Sequence, residues 1–251
     1  MTDREKVVEF ISSGADIAGA AVGGAIGFMA VGPFGAAVAG AMGVVTTKTI
    51  IDIASRSLSN REEIKVSATA AYSLAKIGDY FNDNKVLRDE SFFTGINGKR
   101  AVAEEIFEGV LLKGKSEYEE LKIKHIGYFF SNLCFMDDLR ASDASYYLQL
   151  SEMLTFNQFC ILRAFNLLDD ERKEYWRSNT LLKLWPENPE LAAQISSLCQ
   201  SGLLTPQSTF EVDVKITEMG QKLVALLSLD LIENEYYDEI LSVLNNPPER
   251  Y

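Results

Sequence analysis

Ile17–Thr47 reads IAGAAVGGAIGFMAVGPFGAAVAGAMGVVTT, thirty-one residues without a charge between Asp16 and Lys48. Eight of them are glycine, and most of the others are alanine or valine. Gly19, Gly23 and Gly27 recur at spacing four, on one face of a helix. Beyond Gly32-Pro33 the small residues recur as Gly35, Ala39 and Gly43, and as Ala36 and Gly40. Such stripes let helix backbones approach closely, which is how helices associate where lipid removes the hydrophobic drive. In water each interior glycine costs about 1 kcal/mol against alanine. The stretch therefore predicts tight helix packing in a bilayer or in the core of an oligomer.

Gly32-Pro33 divides the stretch, because proline lacks a donor and biases the residue before it away from helix. A hairpin of helices over 17–31 and 34–53 is one expectation, and a single kinked helix is the other. A spanning helix needs about 20 apolar residues to cross roughly 30 Å of hydrocarbon. The halves Ile17–Val31 and Phe34–Thr47 hold fifteen and fourteen. Spanning, re-entrant and oligomer-buried arrangements all fit these lengths. The preceding residues 2–15 suggest a short amphipathic helix with Val7, Val8 and Ile11 on one side. Asp3, Glu5, Glu9 and Asp16 in the flank do not read as a cleaved secretory signal.

The rest of the 251-residue chain has the composition of a globular protein. Its net charge of −12 argues against non-specific binding of duplex DNA, which needs a basic surface. Cys134, Cys160 and Cys199 are far apart and set in apolar surroundings, so they read as reduced core residues of a cytosolic environment.

The expected class is mainly α. A Gly/Ala-rich helical hairpin occupies 1–58, a helical bundle or sensor domain 59–153, a winged-helix-like domain with a small β-hairpin 154–230, and a helix and tail 231–251. A helix over 61–81 is capped by Ser59 or Asn60, with Ile64, Ala68, Ala71, Leu74, Ala75 and Ile77 inward. Residues 82–98 form a loop suited to a partner or ligand surface. Helices over 99–113 and 115–135 are separated near Gly114, the second with Tyr118, Leu121, His125, Tyr128 and Phe129 near one side. A short helix over 143–153 starts at Ser142 or Asp143.

In the last third, an apolar helix covers Thr155–Leu168, and Asn179 caps a short helix over 180–185. Asn188-Pro189 opens a helix over 189–201 that ends at Gly202. Leu203–Leu204 and Val212–Ile216 read as strands, and Thr217 caps a helix over 218–229. One more helix falls before Pro247-Pro248. The pieces LAAQISSLCQSGLL and VDVKITEMGQKLVALL resemble a winged helix over about 75 residues. The helix that would read DNA has Gln194 and Gln200 but neither lysine nor arginine, which favours a protein contact.

No enzymatic signature stands out. His125 is the single histidine, and no Ser or Cys sits at helical spacing from it. No Cys-x-x-Cys or histidine-rich zinc pattern occurs, and the glycines lack the Lys-Ser/Thr of a phosphate loop. No catalytic residue, metal or cofactor is therefore expected. Lys99, Arg100, Lys113, Lys115, Lys122 and Lys124 would hold an anionic ligand such as an oligonucleotide if they converge. Interleaved with Glu104, Glu117, Glu119 and Glu120, they otherwise form ordinary salt-bridged helix surface.

The Gly19/Gly23/Gly27 zipper, the helical middle EEIFEGVLLKGKSEYEELKIKHIGYFFSNL and the winged-helix-like end together resemble bacterial membrane effectors of anti-phage defence, in particular the effector half of Hailong-type systems. The resemblance implies a non-enzymatic, homo-oligomeric channel or pore in the bacterial inner membrane, or a cytoplasmic protein that inserts conditionally. It also implies restraint by an oligonucleotide or the product of a cognate nucleotidyltransferase. The competing expectation is a soluble oligomeric helical regulator whose winged helix binds protein or nucleic acid.

Overall fold

The computed structural model describes residues 49, 52, 53, 56, 58–95, 98–168, 184, 186–205 and 214–246. The stretch 17–47 and the helices expected over 2–15 and, apart from the buried helical Leu184, over 180–185 lie outside the described residues. The protein is mainly helical, and its chain divides into two compact units between Met153 and Leu154.

In the first unit, α1 spans Asn60–Asn82, α2 Val102–Ser116, α3 Glu120–Leu133 and α4 Ala141–Met153. Ser59 opens α1 through a capping box: the Glu62 amide donates to Ser59 Oγ at 3.4 Å, and the Ser59 amide to Glu62 Oε2 at 2.8 Å. Such reciprocal bonds satisfy two amides that a helix start leaves over. Contacts advance in step along α1 and α3, from Arg61–Glu120 through Ser73–Gly127 to Tyr80–Asn132. These helices therefore run parallel. α2 returns against both, with Lys115 near Glu62 and Phe107 on Phe130. α4 packs on α2 and α3.

Where α1 meets α3 the backbones are nearly in contact. A methyl group on Gly127 would sit 2.7 Å from the Thr69 carbonyl oxygen and 2.9 Å from Tyr72 Cβ. The buried Ser73 hydroxyl donates to the Gly127 carbonyl at 2.7 Å. Two expectations change here. The buried arc of α1 is Val66, Ala68, Thr69, Ala70, Ser73, Leu74 and Ile77, while Ile64, Ala71 and Ala75 are half-buried. α1 faces two neighbours at once, and at closest approach a short hydroxyl fits where a larger side chain does not. Gly114 does not end a helix either. It lies inside α2, where a methyl would fall 2.0 Å from Thr69 Oγ1, so glycine serves a close approach rather than a stop.

Residues 82–98 are only partly a surface loop. Phe92 and Phe93 are buried, around a short 3₁₀ turn at Glu90–Phe92. Arg88 ties this loop to the end of α3: Nη2 donates to the Leu139 carbonyl at 2.9 Å and Nη1 reaches the Leu133 carbonyl at 3.4 Å. Its guanidinium lies 4.1 Å from the Phe92 ring centroid.

The second unit is built around α5, Phe156–Leu167, which Thr155 opens with a capping box to Gln158. α6 (Pro189–Gln200), α7 (Glu218–Leu227) and α8 (Asp238–Asn245) all pack on it, so the tail helix joins this core. Asn188 caps α6 with Pro189 in its first turn, and Gly202 follows at φ +74°, as the sequence predicts. Thr217 Oγ1 accepts from the Gly220 amide at 3.0 Å and donates to the Gly202 carbonyl at 2.7 Å, joining the end of α6 to the start of α7. Among the described residues the expected hairpin is a single antiparallel bridge, Leu204 to Ile216. Most of the intervening turn lies outside them.

Candidate functional site

The packing residues expected in the apolar stretch, Gly19, Gly23, Gly27, Gly32, Pro33, Gly35, Gly40 and Gly43, lie outside the described residues. The site that can be built is the place where the chain leaving that stretch joins the first unit. Thr49 and Ile53, four residues apart, are buried there. Asp52 and Arg56, also four apart, pair at 2.6 Å. Arg56 Nη2 also donates to Glu108 Oε1 on α2. Glu108 Oε2 accepts from Arg100 Nη1 at 2.6 Å, and Arg100 Nε donates to Glu104 Oε1 at 3.0 Å. Asp52, Arg56, Glu108, Arg100 and Glu104 therefore form one line of alternating charge. Hydrogen bonds from Arg100 and then Arg56 hold the Glu108 carboxyl below its ordinary pKa.

Arg100 is one of six cations expected to gather around an anion, and the structure divides that set. Lys99 and Arg100 precede α2, whereas Lys113 and Lys115 lie in its last turn. At about 1.5 Å per residue, the helix separates the two groups by roughly 20 Å. Lys113 pairs with Glu152, and Lys115 Nζ lies 3.5 Å from Glu62. Lys122 is buried, 2.6 Å from the equally buried Glu117 Oε2, and donates to the Glu152 carbonyl at 3.2 Å. Lys124 lies 5.9 Å from the Tyr128 ring centroid. Lys99 is exposed. Apart from Lys99, these cations are engaged by neighbouring carboxylates or by a ring, and they do not line one anion-binding surface.

His125 is buried and meets Tyr128 edge-on, with ring centroids 6.2 Å apart. Its expected neighbours diverge: Phe129 is buried, whereas Tyr118 and Leu121 are exposed. All three cysteines are free and buried. Burial pushes the Cys134 thiol well up and the Cys199 thiol up to about 11. Neither has the lowered pKa of a reactive thiol. Among the described residues no group of three or more His, Cys, Asp or Glu side chains could hold a metal.

A groove of about 460 Å³ runs between α2 and α4, floored by Val102, Ile106, Gly109 and Leu148. The Lys113–Glu152 pair closes one end. Two more lysines lie over tyrosine rings here: Lys76 is 4.9 Å from the Tyr128 centroid, the ring that Lys124 also approaches, and Lys85 is 3.6 Å from that of Tyr80. In the second unit, the Gln194 side-chain oxygen accepts from Asn157 Nδ2 at 2.9 Å, while Gln200 is exposed.

The pairing of Asp52, Arg56 and Glu108 at this junction is absent from the sequence-level expectations, although one signal for Glu108 was present. Arg100, Glu104 and Glu108 stand four residues apart, the spacing at which opposite charges pair on a helix. The remote partner, Arg56, has no such local signature. No family model, curated protein or solved structure matches this chain.

Proposed function

We propose that this chain is a non-enzymatic, self-associating membrane effector, a pore or ion channel of bacterial anti-phage defence. It acts at the inner membrane, or reaches it from the cytoplasm on a signal. The observation that carries the reading is the uncharged run Ile17–Thr47 with glycine at 19, 23 and 27, followed at once by a segment anchored on a helical unit through Ile53 and Arg56. The run is long enough to enter lipid, and its small-residue face suits helix association there. Among the described residues no helix is long and apolar enough to cross a membrane, so membrane activity in this reading belongs to residues 1–58.

The mechanism is a two-state one. The helical units, held by a ligand such as an oligonucleotide or a nucleotidyltransferase product, keep the apolar segments packed. Release lets the glycine faces reassemble in the bilayer. A ligand drives this only through differential affinity for the two states. The second unit is read as a winged-helix-like module serving protein contact. Support comes from α6 closing on Gly202, the Leu204–Ile216 bridge and the Thr217 cap, with the Gln194 side chain already bound to Asn157.

Gly23→Leu and Gly27→Leu test the reading. Each is expected to abolish growth inhibition on expression while the circular dichroism of the helical units is retained. Undiminished toxicity in both variants refutes the glycine-face mechanism. A protein that carbonate strips completely from membranes, and that releases no dye from vesicles, belongs instead to the class of soluble oligomeric regulators.

A further inference from the structure

Residues 49, 52, 53 and 56 are held to the helices of the first unit in two ways. Thr49 and Ile53 point inward and are buried, while Asp52 and Arg56 lie at the surface. Arg56 and Arg100 are each 42% exposed and Asp52 57%, and both guanidiniums converge from the solvent side on the carboxylate of Glu108, itself 16% exposed, with Glu104 buried at the end of the line. We propose that the line Asp52–Arg56–Glu108–Arg100–Glu104 is a releasable catch that holds segment 49–56 on α2 and thereby restrains the apolar stretch. The restraint of that stretch rests on the membrane reading given above; the catch itself does not.

The two kinds of contact in this unit differ in what opens them. Exposed ion pairs are individually weak and are screened by salt. The α1–α3 seam is closed by buried groups: Ser73 on the Gly127 carbonyl, and a glycine contact with no room for a methyl. Local opening follows the element with fewest buried contacts. Loss of the Glu108 charge removes the centre of the line, because Arg56 and Arg100 both donate to it. Segment 49–56 then leaves α2 while α1, α2 and α3 stay folded.

Hydrogen–deuterium exchange on the full chain tests this, comparing wild type with Glu108→Gln and with Arg56→Gln. Amides of 49–58 are expected to exchange about tenfold faster in both variants, and faster in wild type at high salt than at low salt. Amides of α3 keep their protection. Equal protection of 49–58 in all forms overturns the catch. So does loss of protection in α3 alongside it, since the line would then be part of the global fold. Dye release from phosphatidylethanolamine–phosphatidylglycerol vesicles separates the two readings. If exchange quickens but no form releases dye, the catch stands and the membrane reading fails. If wild type releases dye and the variants, exchanging faster, release no more, the catch does not restrain the stretch.

Discussion

Replacing Gly127 by alanine sets two opposed effects against each other, and the structure decides the sign. Alanine is favoured over glycine in a helix interior by about 1 kcal/mol. At Gly127, however, the new methyl would lie 2.7 Å from the Thr69 carbonyl oxygen, 2.9 Å from Tyr72 Cβ and 3.4 Å from the Ser73 amide nitrogen. Those atoms are backbone or fixed directly to it, so no rotamer change relieves the contact and α1 has to move away from α3. Overpacking of this kind costs about 1–3 kcal/mol. The separation also stretches the 2.7 Å Ser73–Gly127 hydrogen bond, whose loss adds about 1 kcal/mol. The net expectation is a loss of roughly 1–3 kcal/mol. For a unit of about 150 residues that is a fall in Tm of roughly 2–12 °C, read by far-UV circular dichroism of the full chain. Gly109→Ala is the matched control. Its methyl meets only the Leu148 Cδ2 end of a side chain at 3.1 Å, which can turn aside, so the propensity gain of up to about 1 kcal/mol prevails. A Gly127→Ala protein melting at or above wild type would show that α1 and α3 do not touch as described.

Three further outcomes follow from buried or paired charge. Lys122→Met alone leaves the buried Glu117 uncompensated and should cost about 3–5 kcal/mol, whereas Lys122→Met with Glu117→Leu should recover most of the loss; urea unfolding of the single and double variants checks this. The Glu108 and Glu62 carboxyls have folded pKa values below their ordinary ones, Glu108 because of Arg100 and Arg56 and Glu62 because of Ser59. Their stabilisation is complete above the unfolded carboxylate pKa and is lost as pH falls through the folded value, so melts taken downward from pH 6 should show acid destabilisation that Glu108→Gln reduces. Cys199, with its thiol pushed up to about 11, is only about one part in a thousand thiolate at pH 8, so maleimide should label it when urea unfolds the chain and leave it unmodified in the native protein.

What the sequence made legible is what neighbouring residues encode. Ser59 with Glu62, Asn188 with Pro189, Gly202 and Thr217 are start and stop signals within a few positions of the backbone they govern, and each sits at a helix end. Gly114 misleads for the opposite reason. Its role is set by Thr69, forty-five positions earlier, and nothing beside it in the chain says that another helix will arrive there. The same holds for Thr69 and Ser73, which a hydrophobic count discards from the inward face of α1 although both are fully buried. The basic residues show the converse. Proximity in sequence groups Lys113, Lys115, Lys122 and Lys124, but their ammonium groups are taken up by Glu152, Glu62, Glu117 and the Tyr128 ring, with Glu152 shared by Lys113 and Lys122.

The seam also limits how a change at segment 49–56 can travel. Thr69 meets Gly114 of α2 at one level, and Ser73 meets Gly127 of α3 one turn further along α1. Sliding α1 along either neighbour would drive Cβ-bearing residues into gaps that admit only glycine, since packed helices shift between discrete arrangements rather than continuously. α1 is therefore locked in register, and a displacement of its N-terminal leader cannot pass down it as a translation. Among the described residues the leader is held by Ile53, Thr49 and ion pairs whose arginines are half-exposed. Detachment of the leader breaks none of the described seam contacts, whereas sliding of α1 strains the close approaches at Gly114 and Gly127. The fold thus makes release of the leader the low-cost motion and keeps the rest of the unit fixed while it happens.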